Sequence, residues 1–300
     1  MKRILGWSAV IVAIAVAAIA GYGYQQVGAL DHEQVTGDVF MITGVGGNVG
    51  VLRTEAGAVI VDTMTFTMQG ERIRELAEEL TGQPVAIVVN THYHQDHTHG
   101  NPAFADGARV VATERTRAHM LERDGDYWEG DAAAAVPSET FSDEHTIELG
   151  GKTIRLVHPG RGHTDGDLVA LFVEDRVIHL GDLLFNGRYP NIDLEAGGTV
   201  KGWPATLDRA GELEFDRVIP GHGPLTDRSG IARFREFLVE LWDKARDAAE
   251  RGLTLDRTLE SVELTKNAGM EAIAVPFILR LDRDFVVRRA WEEATRSTRE

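Results

Sequence analysis

The sequence predicts a layered α/β domain with two β-sheets inside and helices on their outer faces. Short apolar segments alternate with turn residues, stretches of helical periodicity separate several of them, and no long linker interrupts the chain. The 300 residues are 43% hydrophobic and 26% charged, which is ordinary for a globular protein. We therefore expect one large domain after the N-terminal segment.

The first half of that domain alternates strands with helices. Each expected strand is short, apolar and bounded by turn residues: Val39–Thr43, 49–53, Ala58–Val61, Val85–Val89 and 109–112. Helices are expected at 68–80, where apolar residues recur at helical spacing, and at Glu114–Arg123. Residues 44–47 form a glycine-containing loop that could approach a ligand closely.

The second half continues with strands and ends in helices. Further strands are expected at 146–149, 153–158, 168–173, 177–180 and Arg217–Ile219, with a hairpin through Glu174 and Asp175. A helix at 203–213 precedes the last of these strands. From Gly230 onward the chain is expected to be mostly helical, with a buried face marked by Phe234, Phe237, Leu238, Leu241 and Trp242.

The N-terminus has the pattern of an export signal over residues 1–20. Lys2 and Arg3 precede an apolar run, and the small residues Ala18 and Ala20 suit cleavage before Gly21. The alternative is an uncleaved anchor, although the run is shorter than the about 20 residues of a spanning helix. Either reading predicts a periplasmic or other extracytoplasmic location, with membrane contact only if the segment is uncleaved. Residues 21–35 then form a polar spacer, and 36–300 a catalytic domain with a helical C-terminal part.

Charge and cysteine content narrow the function. The formal net charge of -16 argues against a nucleic-acid binder, because such proteins usually carry a basic patch. The chain has no cysteine, so any metal ion must be held by nitrogen and oxygen ligands.

The stretch NTHYHQDHTHGN contains the densest group of metal-ligand residue types. It directly follows the predicted strand Val85–Val89. His92 and His94 alternate along an extended segment, so both rings can point the same way, and Asp96 and His97 come from the turn that follows. The spacing favours metal binding over a solvated polar loop.

Three further ligand types follow predicted strands. His163 lies in GRGHTDGD, Asp182 in IHLGDLLF and His222 in VIPGHGPL. Neighbouring glycines would let the backbone come close to an ion. We therefore expect these residues to meet the histidine cluster at one edge of the sheets.

The motifs HYHQDH, GHT, GD and PGHG, in this order, resemble the metallo-β-lactamase-fold superfamily of metallohydrolases. The resemblance spans about residues 39–223 and implies an α+β fold, an αββα four-layer sandwich. It also implies two divalent metal ions. It assigns His92, His94 and His163 to the first, Asp96, His97 and His222 to the second, and Asp182 to a bridge between them.

Two departures within this resemblance bear on the reaction. The absence of cysteine excludes branches with a thiolate at the second metal, and an aspartate at position 182 resembles the glyoxalase II and lactonase groups more than true lactamases. Zinc is the default ion for a nitrogen-rich ligand set, although manganese and iron also accept imidazole and carboxylate ligands.

These ligands predict a hydrolase, and the N-terminal segment predicts that it is exported. A water held between two cations ionises near neutral pH, and the metal-bound hydroxide would attack an ester, thioester, lactone or, less favourably, β-lactam carbonyl. Asp96 is the expected catalytic partner of that water. The alternatives are an iron-dependent oxidoreductase of the same fold acting on sulfur substrates, and a non-catalytic metal-binding protein. The partner is a small molecule, which the sequence does not identify, and the loops expected to select it are 44–48, 124–137 and 185–198.

Several other polar residues have two readings each. Asp62 could orient a ligand imidazole or cap a turn, and His99 fits a solvated or outer position better than a coordinating one. His158 and His179 fall within strands and are expected to be structural. Asn186 and Tyr189 could stabilise an oxyanion or pack their loop.

Overall fold

The computed structural model describes residues 27–275 and 279–297. The predicted export segment lies outside these residues. Within the described part, no helix combines the length and apolar character needed to cross a membrane.

The first sheet has seven strands in sequential order. They are β1 (Asp31–Gln34), β2 (Val39–Thr43), β3 (Val49–Leu52), β4 (Ala58–Val61), β5 (Val85–Val89), β6 (Arg109–Thr113) and β7 (Glu139–Phe141). Strands β1 to β4 pair antiparallel, whereas β4 to β7 pair parallel. The parallel strands need crossover connections, which contain α1 (Thr67–Thr81), α2 (Gln95–Thr98) and α3 (Glu114–Arg123).

The second sheet has five strands in the order β12-β11-β10-β9-β8. They are β8 (Glu144–Leu149), β9 (Lys152–Val157), β10 (Val169–Phe172), β11 (Val177–His179) and β12 (Arg217–Ile219). Helix α4 (Trp203–Ala210) connects the parallel pair β11 and β12. Helices α5 (Arg228–Glu250), α6 (Leu255–Ser261) and α7 (Arg283–Ser297) follow, with a small hairpin of β13 (Ile273–Val275) and β14 (Leu279–Leu281) before α7.

Alternating side chains along the strands build the layers. Val61 and Val89 of the first sheet pack against Phe172 of the second in one buried cluster. Their neighbours Ile60 and Val88 point the other way and pack against α1. The outer face of the second sheet packs against α4, α5 and α7 in a third cluster. This order of layers is the predicted αββα sandwich, since side chains two residues apart share a face of a strand.

Three elements differ from the sequence prediction. β1 lies within the segment expected to be a spacer, so the sheet begins before residue 36. Its side chains are all exposed and polar, and backbone pairing with β2 holds it, so no apolar alternation marks it. β7 and the β13–β14 hairpin are three-residue strands, too short to give a period. The C-terminal part is therefore mostly helical, and the non-helical segment 262–272 and that hairpin lie between α6 and α7.

Candidate metal centre

The seven predicted ligand residues meet at one edge of the two sheets. The segment His92 to His97 follows β5, Asp182 follows β11, His222 follows β12, and His163 lies between β9 and β10. They form two groups: His92, His94, His163 and Asp182, and Asp96, His97 and His222. Within each group the nitrogen and oxygen atoms that could bind a cation lie within 4.8 Å of one another.

The first group consists of three converging imidazoles and one carboxylate. Nδ1 of His94 lies 2.8 Å from Nε2 of His163 and 3.1 Å from Nε2 of His92. Oδ2 of Asp182 lies 3.6 Å from Nε2 of His163 and 3.8 Å from Nε2 of His92. Four potential ligand atoms therefore face one small volume.

The second group lies on the other side of Asp182. Oδ2 of Asp96 is 3.3 Å from Nε2 of His222, and that nitrogen is 3.4 Å from Nε2 of His97. Oδ1 of Asp182 is 3.1 Å from His97 Nε2 and 3.4 Å from His222 Nε2. Asp182 thus presents one oxygen to each group.

Hydrogen bonds determine which ring nitrogen of His94 and His163 is free. Nε2–H of His94 donates to Asp193 Oδ2 at 3.0 Å, and Nδ1–H of His163 donates to the carbonyl of Asn191 at 2.9 Å. A neutral imidazole with one nitrogen protonated keeps its lone pair on the other. In both residues the free nitrogen is the one that faces the first group.

Asp62 fixes His92 and His97 in the same way. Nδ1–H of His97 donates to Asp62 Oδ2 at 2.7 Å, and the Thr91 hydroxyl donates to the same oxygen at 2.8 Å. Because that hydroxyl proton is directed at Asp62, its oxygen accepts from Nδ1–H of His92 at 3.0 Å. Asp62 therefore orients one imidazole of each group, directly for His97 and through Thr91 for His92, and it also accepts from the backbone N–H of Thr91.

The donor atoms fit metal cations. Oδ1 of Asp182 is buried and has no hydrogen-bond donor among the described residues, although imidazole nitrogens surround it. Burial is also the largest influence on the first group: it lowers the pKa of His92 well below the usual value and that of His163 to about 4. These rings are neutral at physiological pH, as a metal ligand requires.

The second group is charged in the absence of a cation. Burial opposes protonation of His97 and His222, but Asp182 and Asp96 outweigh it, raising the pKa of His97 well above its usual value and that of His222 to about 9. Burial likewise opposes ionisation of Asp182, but the facing imidazoles hold its pKa well below the usual range. A divalent cation would take the place of the protons that balance these carboxylates.

Two glycines allow the backbone to approach the site. A Cβ on Gly47 would lie 2.2 Å from Cε1 of His97, and one on Gly221 would lie 2.1 Å from Oδ1 of Asp182. The loop at 44–47 thus lies directly against His97 of the second group.

The family model of the metallo-beta-lactamase superfamily matches residues 42–222, more than half of the chain. The chain belongs to this superfamily. The matched region includes all seven residues of the two groups.

The curated proteins that are similar to this chain carry several different names. The chain is 29% identical over 256 residues to "2,4-dinitroanisole O-demethylase subunit alpha" of Nocardioides sp. (strain JS1661), covering 81% of this chain and 73% of that protein. It is 21% identical to "Linear primary-alkylsulfatase" of Pseudomonas sp. (strain ATCC 19151), covering 71% of this chain but only about half, 49%, of that protein. It is 24% identical to "Metallo-beta-lactamase type 2" of Bacillus sp. (strain 170), covering 59% and 67%.

Solved metallo-beta-lactamase structures share the fold. The metallo-beta-lactamase from Pontibacter korlensis has a TM-score of 0.62 and 25% identity, covering 70% of this chain and 99% of that chain. The DIM-1 metallo-beta-lactamase has a TM-score of 0.60 and 22% identity, covering 70% and 96%. The α+β sandwich is therefore that of the metallo-beta-lactamase superfamily.

Sequence reasoning missed one carboxylate beside the superfamily site. Asp193 accepts from the Tyr93 hydroxyl at 2.5 Å as well as from His94. Burial opposes ionisation of Asp193, but hydrogen bonds from His94 and Tyr93 hold its pKa below the usual range. Tyr93 lies between His92 and His94, but nothing in the sequence pairs it with a residue 100 positions later.

The other polar residues with two interpretations make structural contacts. His99 binds Asp124 Oδ2 at 2.6 Å and stacks on Tyr127, away from both groups. His158 and His179 bind backbone carbonyls, as expected of structural histidines. The side-chain amide of Asn186 donates to the Pro224 carbonyl, and the Tyr189 hydroxyl accepts from Asn267, so both hold their loops in place.

Proposed function

We propose that this member of the superfamily is an exported, dinuclear metal-dependent hydrolase. The observation that carries the proposal is the position of Asp182, which directs one oxygen to each of the two groups. His92, His94 and His163 would hold the first cation, Asp96, His97 and His222 the second, and Asp182 both. Zinc suits this nitrogen-rich set.

The chain's own residues define where chemistry would occur. Two bound cations would supply Lewis acidity and a water that ionises near neutral pH. The side chains of His92, His97 and His163 are at most 1% exposed, whereas Asp96 is 37%, His94 17% and His222 14% exposed. Substrate would therefore approach over these three, with Asp96 placed to accept the proton that the attacking water loses.

The reaction that suits this arrangement is hydrolysis of an ester, thioester or lactone. Alkoxide and thiolate leave more readily than an amide nitrogen, which needs protonation. The added negative charge of Asp182 should offset part of the Lewis acidity, which matters most for the hardest bond. The panel of test substrates therefore contains these three classes and, because of the names of the relatives, also a β-lactam, a primary alkyl sulfate and 2,4-dinitroanisole.

Metal analysis combined with this panel tests the proposal. We expect close to two zinc ions per chain, hydrolysis of an activated ester or lactone, and loss of at least one ion in Asp182→Ala. If protein expressed in metal-supplemented medium contains no metal, the dinuclear site is refuted. One iron per chain with oxidation of a thiol would favour the oxidoreductase alternative instead.

Export has a separate test. Cleavage after Ala20 predicts that protein from the extracytoplasmic fraction begins at Gly21 by intact mass. A membrane-bound protein that retains Met1 would favour the anchor.

A further inference from the structure

A cleft of about 630 Å³ lies next to the candidate metal centre. Its inner wall is the segment from Phe185 to Arg188, which follows Asp182, together with Pro224, which follows His222. Its outer wall comes from α5 and from residues 265–271. The outer wall lies beyond residue 222, in the C-terminal part outside the family match.

The lining of the cleft is partly apolar and shares a side chain with the candidate metal centre. Phe185, Phe234 and Met270 line it. The Phe185 ring stacks on His222 with centroids 5.0 Å apart and lies 6.4 Å from the ring of Phe234. Phe185 is 1% exposed, so its ring forms the partition between His222 and the cleft, and Pro224 and Met270 provide more exposed apolar surface beside it. The volume is within the usual range for small-molecule sites.

The rim of the cleft carries an excess of positive charge. Arg188 pairs with Glu271, and Lys266 pairs with Glu236 at 3.2 Å. Arg233 forms no salt bridge with any described residue, and its one described hydrogen bond is to the Ser229 hydroxyl at 3.0 Å. Arg233 also lies within electrostatic reach of Asp227, but it forms no salt bridge with that carboxylate, so its guanidinium can still bind an anion.

Hydrogen bonds hold the outer wall in place without a ligand. The carboxylate of Glu240 on α5 accepts from the backbone N–H groups of Thr265 and Lys266, each at 2.8 Å. The backbone N–H of Glu271 donates to the Gly187 carbonyl at 2.9 Å, which joins the two walls. A preformed cleft favours binding because less conformational entropy is lost when a ligand is ordered.

We propose that the cleft binds the part of the substrate remote from the scissile bond, and that this part is an apolar group ending in an anion such as a carboxylate. The claim that the bound molecule is a substrate rests on the proposed hydrolytic function. The claim that the cleft binds an anion rests on the cleft alone. Arg233 binds the anion, and the more exposed Met270 and Pro224 contact the apolar group.

The binding test does not require turnover. Calorimetric titration of the metal-loaded protein with 4-phenylbutyrate and with 4-phenylbutanamide compares an anion with its neutral counterpart. We expect the anion to bind about tenfold more tightly, and Arg233→Gln to remove that difference. The control is Arg246→Gln, which changes an exposed arginine of the same helix that pairs with Asp243 and Glu250. If Arg233→Gln still binds the anion more tightly than the amide, the metals and not Arg233 bind the carboxylate, and the proposal is overturned.

The kinetic test connects the cleft to the reaction. An aryl ester of glutaric acid with a free carboxylate is compared with the butyrate ester of the same phenol. We expect Arg233→Gln to raise KM about tenfold for the first and to leave kcat of both esters and KM of the second unchanged. Equal effects on both esters overturn the specificity role. If neither ester is hydrolysed while 4-phenylbutyrate binding still depends on Arg233, the hydrolase proposal fails and the anion site stands.

Discussion

Replacement of Asp193 by alanine should weaken metal binding in the first group alone. The Asp193 side chain is 12% exposed, and its Oδ2 accepts from both His94 and Tyr93. Alanine leaves both donors without that acceptor and frees His94 to rotate or to place its proton on Nδ1, the nitrogen that faces the group. Loss of a partner that orients a ligand typically costs 10- to 100-fold in metal affinity, or about 1.4–2.7 kcal/mol.

Competition with a chromophoric chelator measures the two binding steps separately. We expect only the step that involves His94 to weaken in Asp193→Ala, and Tyr93→Phe to have a smaller effect because His94 keeps its acceptor. Asp175→Asn is the matched control, since that buried aspartate pairs with Lys152 at 2.8 Å on another part of the fold. If Asp193→Ala binds both ions within twofold of the unchanged protein, the orienting role is refuted.

Three other changes give distinct readouts. Asp96→Ala should lower kcat at least about 100-fold with an unchanged circular dichroism spectrum, because it removes a second-group ligand that is also the expected proton acceptor; unchanged turnover would contradict that role. Gly47→Ala should weaken metal binding at the second group and destabilise the fold by about 1–3 kcal/mol, because its Cβ would clash with His97; Gly37→Ala has open space and should do neither. Burial opposes the charge of Lys152, but hydrogen bonds to two aspartates raise its pKa above the ordinary 10.5. The contribution of Lys152 to the free energy of unfolding is therefore complete below pH 10.5 and is lost as the pH rises through the pKa of the folded protein. Denaturant unfolding of Lys152→Gln should show a loss of about 1 kcal/mol at pH 8 that shrinks at higher pH, and a constant loss would contradict the titration.

The C-terminal part lies outside the region that the family model matches. The family match ends at His222, yet α5 and residues 265–271 build the outer wall of the cleft beside that ligand. The two groups of candidate ligands thus lie inside the family match, whereas the outer wall lies outside it. A substrate panel chosen from the names of relatives alone would not sample the anionic esters that this wall favours.

The strands and the ligand types could be predicted from local sequence. Val85–Val89 is a short, continuous β-branched run, and the His-x-His-x-Asp-His pattern follows it directly, so both the strand and its cluster are visible in one stretch. Glycines beside His163, Asp182 and His222 indicate close backbone approach in the same local way. β1 escaped this reasoning because an exposed polar edge strand has no apolar period.

Only the tertiary structure determined which distant side chains meet. The sequence contains Asp62, Asp193 and Arg233, but their roles depend on contacts with His97, with His94 and Tyr93, and with the cleft rim. Local sequence fixes backbone preference and the chemistry of each side chain, because these depend on neighbours along the chain. The tautomer of an imidazole, the pKa of a buried carboxylate and the shape of a cleft depend on partners that can be more than 100 positions away, which packing of the two sheets and the helices brings together.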